Sequence, residues 1–406
     1  MSTLPASLIW ATRHQTGLRF ETSDDEILLQ PGSVLPALDD DRADMLTNIP
    51  YRHRRCRLQQ MSASASVSTR RLQGTILRSV SRSFYLSIRF LPAPLREPVA
   101  LAYLLARTTD TVADTISISG NLRTEALQML SNAIQAKASR EVVVDLIASF
   151  LPLQQDSTER RLLESLPGCL DWLEHVEEAD RNDIRVLLAK ITHGQMLDLL
   201  RFNNPAEIRA LQSAADLDEY TYLVAGCVGE FWTRLCFRHV RELASLSEDE
   251  MLARGKRYGM ALQLINVLRD AGSDLRAGRC YFPEEELRAA HLDGPQILSE
   301  PERFQPIYRR WTEKAQDGLE CGLRYSRAIR NRRVRAATVL PALIGARTLA
   351  LLREAGISML DRRVKVSRRE VRGIIASLAI TLASRSQIDA IFGRAKLLRS
   401  SLIAED

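Results

Sequence analysis

The chain has no uninterrupted apolar run long enough to cross a bilayer. The longest such run among its 406 residues covers residues 373–383, whereas a spanning helix needs about 20 residues. The N-terminal stretch also lacks a basic region followed by a cleavable small-residue site, so it does not have the pattern of a signal peptide. These absences predict a cytoplasmic protein without a transmembrane segment. Peripheral contact with the inner face of a membrane is left open.

Cysteine and lysine are both scarce. No CxxC pair or Cys/His zinc spacing occurs, which excludes a disulfide scaffold and indicates buried or free thiols in a reducing compartment. Only six of the 56 basic residues are lysine, and the rest are arginine, against 50 acidic residues. Arginine suits bidentate phosphate contacts. The arginines are spread along the chain without a recognised motif, so we expect no nucleic-acid binding. The cysteines stand at positions 56, 169, 227, 236, 280 and 321.

The spacing of apolar residues divides the chain into two parts. Residues 1–66 contain acidic, basic and Ser/Ala-rich stretches with little periodicity, which predicts a loosely ordered extension. From about residue 68 the apolar spacing is helical, with Pro and Gly between the runs. No series of strands with alternating polarity is visible. The pattern predicts an all-α fold of roughly ten or more helices in one domain.

Two aspartate pairs share the same internal spacing. Asp110 and Asp114 follow one apolar run, and Asp270 and Asp274 follow another. Residues four apart lie on one face of a helix, so each pair offers two carboxylates to one side. Oxygen ligands of this kind suit Mg²⁺ that also binds substrate phosphates. A single pair is equally compatible with a solvated helix surface, and the arginines that precede each pair are compatible with simple salt bridges.

Four blocks together resemble the squalene/phytoene synthase family. They are SVSRSFYLSIRFLP (80–92), YLLARTTDTVAD (103–114), YTYLVAGCVGEFWTRL (220–235) and LQLINVLRDAGSDLRAGRCYFP (262–283). They occur in the family's order and spacing. The resemblance implies an all-α isoprenoid synthase fold with a central cavity, which condenses two prenyl diphosphates head-to-head with Mg²⁺. It implies a catalytic domain over 67–361 and a basic, amphipathic helical tail over 362–406.

The resemblance also implies roles for individual residues. It assigns Mg²⁺–diphosphate binding to Asp110, Asp114, Asp270 and Asp274, and proton transfer during coupling to Tyr220. It assigns substrate contacts to a further set, which comprises Ser81, Arg82, Ser83, Phe84, Tyr103, Arg107, Arg234, Gln263, Asn266, Arg269 and Arg279.

Structural alternatives remain for several of these residues. Taken alone, Ser81 to Phe84 fit a helix N-cap followed by a core aromatic better than a substrate contact, and Tyr220 is also compatible with a core tyrosine. The small residues Ala225, Gly226 and Gly229 can permit close helix packing, widen a cavity, or do both.

Local details of the resemblance favour squalene synthase, with farnesyl diphosphate as substrate and NADPH as reductant. The first motif reads DTVAD, and the segment RRVKVSRREV (362–371) is similar to a basic block of squalene synthases. Ala337 and Thr338 do not match the aromatic/Cys pair of the reductive pocket. The alternatives are a dehydrosqualene or phytoene synthase without reduction, and a non-enzymatic helical assembly factor.

Overall fold

Most of the described chain is helical, which confirms the all-α fold predicted from the sequence. The computed structural model describes residues 72–81, 88–204, 206–381 and 384–397. The predicted extension over 1–66 lies outside the described residues. The α-helices within them are α1 (Leu77–Ser81), α2 (Ala93–Ala113), α3 (Gly120–Ile134), α4 (Arg140–Phe150), α5 (Ser157–Glu164), α6 (Leu166–His175), α7 (Glu178–Arg201), α8 (Ala214–Thr221), α9 (Cys227–His239), α10 (Glu248–Arg276), α11 (Glu284–Ala289), α12 (Gln296–Ser299), α13 (Pro301–Ala328), α14 (Arg332–Ala355), α15 (Arg368–Ile380) and α16 (Arg385–Leu397).

Side-chain caps fix where several helices begin. Ser119 accepts a hydrogen bond from the Leu122 amide at the start of α3. Ser213 and Asp216 form a reciprocal capping box at the start of α8, and Ser367 and Glu370 form another at the start of α15. Such caps satisfy backbone donors that the first turn leaves unpaired.

Helix α10 is the centre of the molecule and packs against α9, α13 and α14. Glycines let its backbone approach α9 closely: a Cβ added to Gly229 would lie 2.0 Å from the Gly255 carbonyl oxygen. At the other end of α10, a Cβ added to Gly272 would lie 1.9 Å from the carbonyl oxygen of Leu360. The segment after α14 is therefore held directly against the C-terminal turns of α10.

Two large hydrophobic clusters form most of the core of the described residues, and Ile344 and Val366 form a small third one. The first joins α2, α3, α6 and α7 with α9, and the second joins α10, α13, α14 and α16. In α16 the side chains of Ile388, Ile391 and Phe392 are buried in the second cluster. In α15, by contrast, Leu378 is the one buried side chain, and Ile375 and Ile380 are exposed. The two helices of the predicted tail therefore differ: α16 belongs to the core, and α15 lies largely on the surface.

A short parallel pair of strands accompanies the helices, which the sequence pattern did not predict. Strand β1 (Arg209–Leu211) pairs with β2 (Arg279–Pro283) in the register Arg209 to Arg279. Gly278, with φ of 79°, turns the chain out of α10 and into β2. This left-handed conformation is readily adopted by glycine. The turn places Arg279 back against the last turns of α10.

An apolar cavity of about 130 Å³ lies between α2, α9, α10 and α14. Its volume corresponds to roughly ten water-sized groups. Within α14, Pro341 has no amide to donate to the Ala337 carbonyl, and the Tyr258 hydroxyl donates to the neighbouring Thr338 carbonyl at 2.9 Å. The wall includes Val99, Ala225, Val228, Gly229, Gly255, Gly259, Leu262, Ala337, Thr338 and Pro341. Gly229 therefore both permits close packing and lines a cavity.

One stretch in the described part of the chain, Arg332–Leu360, is long and apolar enough, by length and composition alone, to cross a membrane. In its most apolar window 78% of the residues are buried inside the protein, as in a core helix. Uninterrupted apolar runs did not reveal it, because arginines such as Arg347 divide it.

The cysteines of the described residues are all free and buried, as predicted; Cys56 lies outside these residues. Burial raises the pKa of Cys169 to about 12. A thiol with so high a pKa is a poor nucleophile at neutral pH.

Candidate active site

The first aspartate pair stands at the C-terminal end of α2. Asp110 accepts a hydrogen bond from Gln195 Nε2 of α7 at 2.7 Å, and about a third of its side chain is exposed. Asp114 is the residue that caps α2, with its amide bonded to the Asp110 carbonyl. The helical spacing predicted for this pair is therefore present up to the last turn of α2.

Arg107 and Tyr103 lie one and two turns before Asp110. Arg107 forms a salt bridge with Glu159 of α5 and lies 4.0 Å from Asp110. Burial lowers the pKa of Arg107, but Glu159 and Asp110 raise it by more, so that the net shift is upward. Tyr103 is buried and donates to the Val80 carbonyl at 3.3 Å, and burial raises its pKa. Both residues therefore lie on α2 in the two turns that precede the first pair.

The second aspartate pair stands near the C-terminal end of α10, and each member is held by an arginine. Arg269 donates to both carboxylate oxygens of Asp270, at 2.9 and 2.5 Å. Arg279 of β2 donates to Asp274 through Nη2 at 2.7 Å. A guanidinium held in this way is also a donor for phosphate oxygens.

A buried polar network connects α10 with α7 and β2. Gln263 donates to the Tyr220 hydroxyl at 2.8 Å, and Asn266 donates to Gln263 at 3.3 Å. The ring of Tyr220 stacks on Tyr281, with centroids 5.0 Å apart. The Tyr281 hydroxyl donates to Asp198 of α7 at 2.9 Å. Tyr220 is thus both buried and directly connected to the residues around the second pair.

Arg123 of α3 connects the two aspartate pairs. It donates to the Ala113 carbonyl at the end of α2, at 2.9 Å, and interacts electrostatically with Asp114, Asp198 and Arg279. Because Arg279 in turn holds Asp274, a chain of charges runs from the first pair to the second. The two motifs, which lie far apart in the sequence, therefore converge on one region of the fold.

The apolar cavity lies deeper along the same two helices. On α2, Val99 lines it eleven residues before Asp110, and on α10, Leu262 lines it eight residues before Asp270. These separations correspond to about 16 and 12 Å of helix. Charged groups therefore stand at the ends of two helices whose preceding turns line an apolar space.

The donor set fits a hydrated divalent cation. All four carboxylates are oxygen ligands, which Mg²⁺ prefers. Beside Asp110, the buried Gln195 Oε1 has no hydrogen-bond partner among the described residues. Such an acceptor is suited to a metal-bound water, since a buried unsatisfied oxygen is costly.

Another acidic group lies elsewhere and has a different character. Glu177, Asp180 and His239 bring potential ligand atoms within 4.8 Å of one another. Arg238 already donates to Asp180 at 2.6 Å, and His239 contacts the same carboxylate. We interpret this cluster as an ion-pair network that holds α9 on the N-terminal turns of α7.

Some predicted site residues are not brought to this region by any contact within the described chain. Arg234 lies on α9 between Glu230 and Arg238, which contact α7 at Lys190 and Asp180. These contacts place Arg234 beside the part of α7 that ends near Lys190. Lys190 itself lies about 12 Å along the helix from Asp198, the nearest residue of α7 in the polar network. Arg82, Ser83 and Phe84 lie outside the described residues, as does the side chain of Ser81. The roles of all five remain predictions.

Several residues of the region were not found by sequence reasoning. They contact the predicted residues across long separations in the chain, and α7 carries no recognised motif. One signal was available: Gln195 and Asp198 stand three apart in a helix, on one face. The residues missed are Arg123, Glu159, Gln195, Asp198 and Tyr281.

Comparisons with known proteins identify the family of the chain. The family model described as "Squalene/phytoene synthase" matches residues 77–370. A bifunctional lycopene cyclase/phytoene synthase from Phaeosphaeria nodorum is 30% identical over 274 residues, which cover 66% of this chain and 42% of that protein. Squalene synthase ERG9 from Saccharomyces cerevisiae is 30% identical over 210 residues, which cover 52% of this chain and 44% of that protein. This chain therefore spans less than half the length of either relative.

Solved structures show the same fold. TcSQS in complex with E5700 superposes with a TM-score of 0.60 at 22% identity, covering 80% of this chain and 96% of that one. A dehydrosqualene synthase in complex with ligand gives a TM-score of 0.50 at 20% identity, covering 80% and 98%. The fold is thus that of an all-α isoprenoid synthase. The chain belongs to the squalene/phytoene synthase family.

Proposed function

We propose that the protein condenses two farnesyl diphosphates head-to-head, through presqualene diphosphate, to squalene. The convergence of the two aspartate pairs at one end of an apolar cavity supports this proposal most strongly. A prenyl diphosphate has the same division into an anionic head and an apolar chain. The diphosphates would lie at the aspartate pairs, and the prenyl chains would extend along α2 and α10.

The residues of the chain would assist each step. Arg107 and Arg269 face the diphosphates, where they stabilise the charge that develops as the carbon–oxygen bond breaks. The cavity excludes water from the allylic cation. Tyr220 would help to relay the proton lost when the cyclopropane ring closes. When bound by Asp110, Asp114, Asp270 and Asp274, Mg²⁺ supplies further neutralisation of the leaving group.

We also propose that NADPH reduces the coupled intermediate to squalene. Burial, together with Arg363, Arg368 and Arg269, lowers the pKa of Lys365. This concentration of positive charge beside the second aspartate pair fits the phosphates that NADPH carries. We propose that Arg363, Lys365 and Arg368 hold them, and that the bound nucleotide supplies the hydride.

A second candidate function ends without reduction, in dehydrosqualene or phytoene. Two observations favour it: Ala337 and Thr338 form the cavity wall where the family's squalene synthases have other residues, and phytoene synthases are among the relatives. The test is incubation of the purified protein with Mg²⁺ and either farnesyl or geranylgeranyl diphosphate, with and without NADPH, followed by hydrocarbon identification. Squalene formed from farnesyl diphosphate with NADPH supports the first function, and an unreduced triene formed with and without NADPH, from either substrate, supports the second. No hydrocarbon product in any of these reactions would favour a non-enzymatic assembly factor.

Peripheral contact with a membrane is also proposed, through α15. Exposed Arg368, Arg369 and Arg372 precede exposed Ile375 and Ile380 on this helix. A helix with basic and apolar side chains on its exposed surface binds anionic bilayer surfaces. The substrate is amphipathic and the product is a hydrocarbon, so contact with the bilayer would serve both entry and release.

A further inference from the structure

Arg123 belongs to none of the motifs found in the sequence, yet it stands where the two aspartate pairs meet. Its Nη1 donates to the Ala113 carbonyl at 2.9 Å. A Cβ placed on Gly120 would lie 3.9 Å from Arg123 Nη2 and 3.9 Å from the Leu199 carbonyl oxygen. The guanidinium therefore occupies the junction of α2, α3 and α7.

The charged groups around Arg123 come from both aspartate motifs and from α7. Asp114 and Asp198 interact electrostatically with its guanidinium, as does the guanidinium of Arg279. Two guanidinium groups and two carboxylates therefore lie together in a half-buried site.

One donor of Arg123 is also unused. Its Nε is buried and has no hydrogen-bond partner among the described residues. A buried N–H without an acceptor is costly, and charge-assisted hydrogen bonds to phosphate are among the stronger ones in proteins. The unused donor and the second guanidinium of Arg279 together indicate an anionic oxygen as the missing partner.

Building on the proposed function, we propose that Arg123 is a substrate-binding residue that contacts the diphosphate between the two aspartate pairs. When the carbon–oxygen bond breaks, the electron pair leaves with the diphosphate, whose negative charge increases. Arg123 would hold this leaving group through its guanidinium and keep it beside Asp114. It would therefore bind inorganic pyrophosphate, the product, as well as the substrate.

The structural alternative is that Arg123 merely caps the C-terminal end of α2. The chain offers a matched control for this alternative. Arg185 donates through Nε to the Ile134 carbonyl at 3.0 Å, at the C-terminal end of α3. It also pairs with Glu174, far from the aspartate pairs. Arg185→Gln therefore removes a helix-end arginine without removing one from the proposed site.

The experiment measures binding of inorganic pyrophosphate to the full chain by calorimetry, with Mg²⁺ and with a chelator, alongside thermal unfolding. We expect Arg123→Gln to weaken binding by about tenfold or more under both conditions. Arg123→Lys should retain part of the affinity, and Arg185→Gln should bind as the wild type does. Arg123→Lys also provides the answer if Arg123→Gln does not fold.

The outcomes separate this inference from the proposed function. Wild-type affinity in the folded Arg123 variants, or equal weakening in Arg185→Gln, would overturn the role of Arg123 alone. A wild-type protein that neither binds pyrophosphate nor converts farnesyl diphosphate would overturn the proposed function, and this inference with it.

Discussion

The Tyr281 hydroxyl lies 2.9 Å from a carboxylate oxygen of Asp198, while the ring of Tyr281 stacks on Tyr220. A single side chain from β2 thus fixes both an acid of α7 and the tyrosine proposed to relay a proton. The interplanar angle of 22° and the centroid distance of 5.0 Å leave Tyr220 little freedom to tilt.

Tyr281→Phe should lower both stability and turnover. The substitution removes a hydrogen bond to a charged group, worth about 1.5–3 kcal/mol. We expect kcat/KM to fall by about tenfold to a hundredfold, which corresponds to the same free energy. Tyr308→Phe is the control, because it removes a buried hydroxyl bonded to the Leu268 carbonyl at 3.3 Å. If both variants lose activity equally, the Tyr281–Asp198 pair has no special role.

Asp114→Asn and Asp270→Asn should each reduce turnover by about a hundredfold or more, because each removes charge from the site where the leaving diphosphate is stabilised. Circular dichroism should show intact helices in both. Asp171→Asn is the control: Asp171 is exposed and pairs with Arg140 at 3.6 Å. Near-normal turnover in either site variant would contradict the assignment of these carboxylates.

Ala337→Phe should block the prenyl chain and spare the diphosphate site. The new ring would occupy the apolar cavity, whose volume is about 130 Å³. We expect the affinity for farnesyl diphosphate to fall by about tenfold or more, since apolar burial is the main contribution of the chain to binding. Pyrophosphate affinity should stay unchanged, and Ala337→Ser should resemble the wild type. A Phe variant with normal substrate affinity would show that the cavity does not hold the prenyl chain.

The double variant Ile375→Ser/Ile380→Ser should weaken flotation with anionic vesicles. The exposed isoleucines would no longer insert below the headgroups, although the arginines of α15 would still be attracted electrostatically. Val186→Ser is the control, since Val186 is also an exposed apolar residue, on α7. Point variants are preferable to deletion of residues 362–406, because deletion would remove the core side chains of α16. Unchanged flotation would exclude α15 as the membrane contact.

Acid should weaken the attachment of α15. Burial raises the pKa of Glu370, but hydrogen bonds from the Ser367 backbone and from Arg347 lower it by a larger amount, so the net shift is downward. A carboxyl group whose pKa is lower in the folded than in the unfolded protein stabilises the fold at pH values above the unfolded pKa, which is about 4.3 for Glu. This stabilisation is lost as the pH falls through the pKa of the folded state. The difference in melting temperature between the wild type and Glu370→Gln should therefore be present at pH 7 and shrink below pH ~4. A difference that does not depend on pH would contradict this role.

The sequence predicted those features that depend on residues close together in the chain. Helical periodicity and four-residue spacing depend on neighbours along the chain, so the all-α class, the place of Asp110 on α2 and that of Asp270 on α10 could be predicted. The same holds for Gln263 and Asn266, which share a face of α10. The family of the chain was predicted from four motifs in order, and the family match over residues 77–370 confirms that prediction.

The rest of the site depends on contacts that no local pattern encodes. Gln195 reaches Asp110 across 85 positions, and Tyr281 reaches Asp198 across 83. Strand β2 escaped prediction because RCYFP does not alternate in polarity, and its partner β1 is only three residues long. Arg123 was one arginine among fifty in the sequence, and only its position between Asp114 and Arg279 distinguishes it.

Gly272 gives the molecule a direct link between its outer surface and its interior chemistry. Because no side chain intervenes, the backbone at Leu360 rests on α10 between Asp270 and Asp274. The segment after α14 therefore meets α10 through main-chain atoms between the two aspartates of the second pair. A larger residue at position 272 would push this segment away from α10 and disturb the turns that carry both carboxylates.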